Sequence, residues 1–342
     1  MIRFSCISAL LLTVSAVCAQ TRPLIMASTP DVASIAVSVA GESAEVKAIM
    51  PAGADVHSFT VSSQQVRYLQ RAVLVLFANS ADLGFEDTIK AALGKTPFLD
   101  WPDYQAQGAT LRDYPGYPKN PHGPWLRLDN ALAMARAMAQ EMIALGLPRE
   151  VIEANLSGFS RELAGMKNDY VTLGKAMNLS KPLLVVIPGL CDSVANMDVP
   201  VGAVLMAEGS GTVSGQELSA SVRELKSGQF GGIVCPLSMK QSKAGEAARQ
   251  VAADSGAQIA YVRFQDTNLE KDTYLSVAAY NAAALSALGM GEARPGARPA
   301  RSRGLLQMAA IALAMLIIGL IIGRAFCARR VPVCGAGIFD PK

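Results

Sequence analysis

The sequence predicts an α/β protein: two Rossmann-like lobes with parallel sheets, joined by one long helix and followed by a C-terminal transmembrane helix. Three observations predict it. Short apolar runs alternate with helical patterns in two separate sets, before residue 148 and after residue 180. That alternation builds parallel sheets covered by helices. Between the sets lies an unbroken helical pattern over 150–177, with apolar positions at Val151, Ile152, Leu156, Phe159, Leu163, Met166, Tyr170, Val171 and Leu173. At 1.5 Å per residue it would run roughly 40 Å, the height of a two-lobed molecule. Near the end, residues 304–323 carry no charge, and roughly 20 apolar residues cross a hydrocarbon core as a helix.

The elements follow in order. Arg3, the apolar run 7–17 and Val17-Cys18-Ala19 make residues 1–19 a secretory signal peptide cleaved after Ala19. The N-terminal lobe is expected over 20–148. Its first strand is 24–28, ended by Thr29-Pro30; a helix at 31–40 stops at Gly41, and a second strand runs 44–50. A helix at 62–72 precedes 73–78 (VLVLFA), a continuous apolar run suited to a strand buried on both faces. An Ala/Met-rich helix at 129–145 closes at Gly146, and the connecting helix occupies 149–179. In the C-terminal lobe, 180–290, strands are expected at 182–187, 231–235 and 258–262, and helices at 216–226, 242–255 and 273–288.

Residues 291–303 (GEARPGARPARSR) form a solvated linker to the membrane helix at 304–323, and 324–342 form a cytoplasmic tail. Arginines flank the helix on both sides, so the signal peptide sets the orientation. The protein is thereby expected on the periplasmic face of the cytoplasmic membrane, with the lipid bilayer as a partner through a single-pass anchor.

Lys and Arg number 31 against 28 Asp and Glu, a net charge of +3 with the basic residues scattered outside the linker. That excludes nucleic acid as a partner. Of six cysteines, Cys6 and Cys18 leave with the signal and Cys327 and Cys334 fall in the tail. Cys191 and Cys235 remain, free to form a disulfide, to pack as small apolar groups, or to bind metal.

Only two histidines occur in 342 residues. His57 lies in MPAGADVHSF (50–59) and His122 in NPHGPWL (120–126), both Gly/Pro-rich loops. Neutral imidazole is the commonest protein ligand of divalent transition metals. Open α/β sheets bind ligands beyond the carboxyl ends of their strands, so the two imidazoles are expected to meet at the lobe interface. Because both are committed to these motifs, no Ser/His/acid arrangement remains, and the protein reads as a binder, not an enzyme.

These motifs resemble those of the periplasmic solute-binding proteins of zinc and manganese ABC transporters, the cluster whose lobes are tied by a rigid helix. The stretch 51–59 matches that family's P-x-G-x-D-P-H-x-F, which makes His57 the first ligand. Asn120-Pro121-His122 with Trp125-Leu126 is similar to D-P-H-x-W-L-D, with one residue inserted at Gly123-Pro124, and makes His122 the second. Gln265-Asp266, followed by Asp272-Thr273-Tyr274 and Tyr280-Asn281, resembles the final segment, where the aspartate, here Asp266, ligates. At the third position, after Val185-Val186, the family carries histidine or glutamate, whereas the register here reaches Pro188. Either Cys191 or Cys235 substitutes as a soft ligand, or the site keeps three protein ligands and opens to water. The resemblance implies a receptor for Zn²⁺, alternatively Mn²⁺, that delivers the ion to an ABC permease. A membrane-tethered sensor or chaperone, binding Zn²⁺ or Cu⁺ through the cysteines, is the rival reading on the same fold.

Overall fold

A computed structural model describes residues 22–54, 58–206, 213–265, 269 and 272–290. Its first lobe runs β1 (Leu24–Ala27), α1 (Pro30–Ala40), β2 (Glu45–Ala48), α2 (Ser63–Leu69), β3 (Leu74–Leu76), α3 (Gly84–Ala92), β4 (Phe98–Leu99), α4 (Trp101–Ala106) and α5 (Leu128–Ala144). The long helix α6 (Arg149–Ala176) crosses to β5 (Leu183–Val185), α7 (Cys191–Ala195), β6 (Val201–Val204) and α8 (Gly215–Lys226). Then come β7 (Ile233–Pro236), α9 (Lys243–Ser255), β8 (Ile259–Val262) and α10 (Tyr274–Ser286).

Each lobe holds one four-stranded sheet, in the order β2-β1-β3-β4 and β6-β5-β7-β8. All pairings are parallel. The two sheets thus share one strand order, with the first strand of each lobe inside it and the direction of winding reversing there. Such a reversal opens a crevice at the carboxyl ends of the strands.

Local chemistry explains the helix starts. Thr29 caps α1 by accepting the Val32 N–H at 3.3 Å, with Pro30 at the first turn. Ser62 with Gln65, Ser214 with Glu217 and Thr273 with Ser276 form reciprocal caps on α2, α8 and α10. Four elements have weaker sequence signals. Helix α3 has no side-chain cap at Leu83, β4 is two residues long, and α4 is a six-residue helix held by Asp100 and Asp103. Strand β6 contains Gly202, where a Cβ would collide with the Phe230 ring.

The core ties the lobes together. Along β5, Leu183 and Val185 join the large core shared with the first lobe, α6 and α10, whereas Leu184 and Val186 face the smaller core under α8 and α9. The same alternation separates Val234 from Ile233 and Cys235 in β7, as a period of two requires.

The C-terminal transmembrane helix is a correction to the expected fold. Among the described residues no helix is long and apolar enough to cross a membrane. The architecture is two α/β lobes and a connecting helix, and the membrane helix, its lipid contact and the single-pass anchor are withdrawn. The span 304–323, the signal peptide 1–19, the linker and the tail lie outside the described residues.

Candidate metal site

His122 sits in a loop wedged between the lobes. The loop begins after a tight turn in which Tyr114 and Tyr117 exchange backbone hydrogen bonds of 3.0 and 2.8 Å. Asn120 is fully buried and organises the loop around the histidine: its Oδ1 accepts the His122 N–H at 3.3 Å, and its Nδ2 donates to the His122 carbonyl at 3.3 Å and to the Pro188 carbonyl at 3.0 Å. Gly123 takes φ +67°, and a Cβ there would stand 2.1 Å from the Gly189 carbonyl oxygen. Only glycine lets the two backbones approach this closely. Trp125 and Leu126 then bury the end of the loop, and Tyr274 of α10 donates its hydroxyl to the Trp125 carbonyl at 2.8 Å.

The imidazole itself is mostly shielded, with 15% of its side-chain surface exposed. Nδ1 lies 3.1 Å from Asp82 Oδ2, and the Tyr117 ring meets the imidazole edge-on, its centroid 6.1 Å away. Asp82 belongs to the turn that follows β3 at its carboxyl end. That turn is rigid because buried Glu86 accepts the Ala78 and Asn79 N–H groups at 2.7 and 2.9 Å. Burial pushes the Glu86 carboxyl up to about 7. Asp82 is a neighbour of His122 that the sequence reading did not single out; a carboxylate just past the strand expected at 73–78 is the signal that could have found it.

Pro188, where the sequence register expects the third ligand, is buried, opens a short 3₁₀ turn and offers only its carbonyl, already taken by Asn120. The two thiols are not joined in a disulfide and lie in different cores. Cys191 starts α7 in the core shared by the lobes; burial, and then the charge of Asp192, push its thiol up to about 12. Asp192 Oδ1 in turn accepts the Tyr114 hydroxyl at 2.8 Å, a second link between the lobes. Cys235 faces the other side of its sheet, under α8 and α9, with its Sγ donating to the Pro236 carbonyl at 3.6 Å and burial pushing it up to about 11.

His57 and Asp266 lie outside the described residues, but the chain flanking each is well placed. Pro51 and Ala54 close a turn directly after the strand β2 register ends, with Gly53 at φ +73°. On the other side, Gln265 donates its N–H to Asp31 Oδ1 of α1 at 3.1 Å, so the first lobe holds the residue before Asp266. Burial pushes the Asp31 carboxyl up to about 6, although the Gln265 hydrogen bond opposes the shift. Arg263 pairs with Asp272, and Asn281 exchanges two hydrogen bonds with the Arg263 backbone at 2.8 and 2.9 Å. Among the described residues no group of three or more His, Cys, Asp or Glu could hold a metal; they contribute His122 with Asp82. Two histidines and carboxylates would form a nitrogen–oxygen donor set that suits Zn²⁺ or Mn²⁺.

Solved structures share this architecture. A ZnuA structure matches with a TM-score of 0.64 at 20% identity, over 78% of this chain and 98% of its own. A periplasmic metal-binding protein from Candidatus Liberibacter asiaticus matches with a TM-score of 0.63 at 18% identity, over 78% and 100%. The solute-binding protein FpvC from Pseudomonas aeruginosa, solved in complex with Mn²⁺, matches with a TM-score of 0.65 at 16% identity, over 79% and 100%. No curated protein matches the sequence. At these identities the likeness concerns the fold; the assignment rests on the sequence profile described as zinc-uptake complex component A, periplasmic, which matches residues 25–288. By that match across most of its length, the chain belongs to the ZnuA family.

Proposed function

We propose that the protein is a metal receptor on the outer side of the cytoplasmic membrane, which captures Zn²⁺, or alternatively Mn²⁺, and delivers it to an ABC permease. The observation that carries this reading is the His122 loop, a segment of the first lobe hydrogen-bonded to Pro188 and Tyr274 of the second, in a chain of the ZnuA family. We assign the ion to His57, His122 and Asp266. Cys191 and Cys235 then act as buried packing groups, because they face opposite sides of the second sheet. A Cu⁺ site built on the thiol pair lacks support for the same reason. Nothing in this task requires bond-making: the site must bind, tighten and release, and the family is one of solute-binding proteins.

Isothermal titration of the purified protein tests the reading. One Zn²⁺ should bind, and His57→Ala and His122→Ala should each weaken it at least tenfold, about 1.4 kcal/mol. Unchanged affinity in either variant removes that residue from the site. Replacing Zn²⁺ by Co²⁺ separates the roles of the cysteines: a sulfur-to-metal charge-transfer band in the near ultraviolet would return one of them to the ligand set.

A further inference from the structure

We infer that Asp82 is the positioning carboxylate of His122: it accepts the imidazole Nδ1–H, holds the tautomer that leaves Nε2 bare, and so aims Nε2 at the cation. The identity of the cation rests on the metal-receptor reading; the pairing of the two side chains does not.

Three observations carry it. Asp82 Oδ2 lies 3.1 Å from His122 Nδ1, with 19% and 15% of the two side chains exposed, so water competes weakly for either group. Oδ2 is also buried and, among the described residues, receives no hydrogen bond from any other group. Finally, the carboxylate stands on a fixed base. The Asp82 and Leu83 N–H groups donate to the Asn79 carbonyl at 3.1 and 3.0 Å, and the Glu86 carboxyl accepts the Ala78 and Asn79 N–H groups. The nearby cation Lys90 is engaged elsewhere, 2.7 Å from Asp100.

Geometry then dictates the consequence. An imidazole has two nitrogens, and the hydrogen bond made by one decides which is left to bind metal. Carboxylates that orient a metal-binding histidine in this way are typically worth roughly 10–100-fold in affinity. The Tyr117 ring also packs edge-on against the imidazole. Asp82 and Tyr117 together would keep Nε2 directed away from the β3 turn.

The test uses the full chain labelled with ¹⁵N-histidine, with the His122 signals assigned by a His122→Gln variant. At alkaline pH without metal, long-range ¹H–¹⁵N correlations should show the Nδ1–H tautomer at His122, and added Zn²⁺ should shift Nε2. Asp82→Asn should mix the tautomers and raise the Zn²⁺ Kd by about 10–100-fold, and Asp82→Glu should restore much of both. An Nε2–H tautomer in the unaltered protein, or Zn²⁺ on Nδ1, overturns the inference. So does an Asp82→Asn variant with unchanged tautomer and Kd. A protein that binds neither Zn²⁺ nor Mn²⁺ overturns the receptor reading instead, and the metal-free tautomer still decides the role of Asp82. That measurement needs no variant of Asp82 to fold.

Discussion

Glu86 shows how one buried side chain can both brace the site and shape the pH response of the fold. Its carboxyl is raised from 4.5 to about 7 because burial outweighs the hydrogen bonds from Ala78, Asn79 and Ser28. Between those values the folded protein retains a proton that the unfolded chain has lost, so stability falls as pH rises through the window. Asp31, raised from 3.8 to about 6, adds a term of the same sign at slightly lower pH. Denaturant midpoints should therefore decline from pH 5 to pH 7.5, and Glu86→Gln should flatten that decline. It should also lower stability at pH 5, because an amide offers one acceptor where two backbone N–H groups need it. A second residue-scale expectation concerns Gly123. Alanine there meets the left-handed penalty of roughly 1–2 kcal/mol and the Gly189 carbonyl together. Gly123→Ala should cost at least about 2 kcal/mol in equilibrium unfolding and weaken Zn²⁺ binding, since the clash pushes the His122 loop off the second lobe.

Among the elements, α6 does most to join the lobes. Asn155 donates to the Val39 carbonyl at the end of α1 at 3.0 Å, Lys167 pairs with Asp129 of α5 at 2.8 Å, and Tyr170 donates to the Ala278 carbonyl of α10 at 2.6 Å. These contacts differ in weight. Tyr170 is 1% exposed, so Tyr170→Phe should lower unfolding stability by about 1 kcal/mol, the net worth of a buried hydrogen bond. The Arg149–Glu153 pair spans one turn of the same helix in solvent, and Glu153→Gln should stay within about 0.5 kcal/mol of the unaltered protein. Chemical denaturation of both variants separates the two cases; equal losses would mean that α6 is held by something other than its buried face.

At the scale of the molecule, one apolar core runs from β1 through α5 and α6 to the inward faces of β5, β7 and β8 and to α10. A shared core and a rigid 28-residue helix leave little room for a hinge. Metal binding should therefore change local loops and produce at most small tilts of the lobes. Small-angle scattering of the protein with and without Zn²⁺ should give radii of gyration within about 1 Å of each other. A contraction of several ångströms would show that the lobes close as separate bodies.

Local signals in the chain were sufficient for most of this architecture. The strands centred on 74–76, 183–185 and 259–262 and the helices from 30, 149 and 243 follow from apolar period, capping residues and glycine stops, all of which act within a few residues. His122 was legible because a Gly/Pro-rich loop isolates it in a chain with only two histidines. Elements that lack such signals were not: α3 has no side-chain cap, and β4 and β6 are short edge strands stabilised by their neighbours. The membrane helix read from an uncharged run has no counterpart among the described helices, and the run itself, 304–323, lies outside the described residues. Tertiary structure alone decided that Cys191 and Cys235 lie on opposite faces of one sheet, because their separation depends on strand phase and helix packing. It also decided that Asp82, forty residues before His122 in the chain, stands at its Nδ1. Pairings of this kind arise when separate strand ends converge at one crevice, and no local pattern along the chain encodes that convergence.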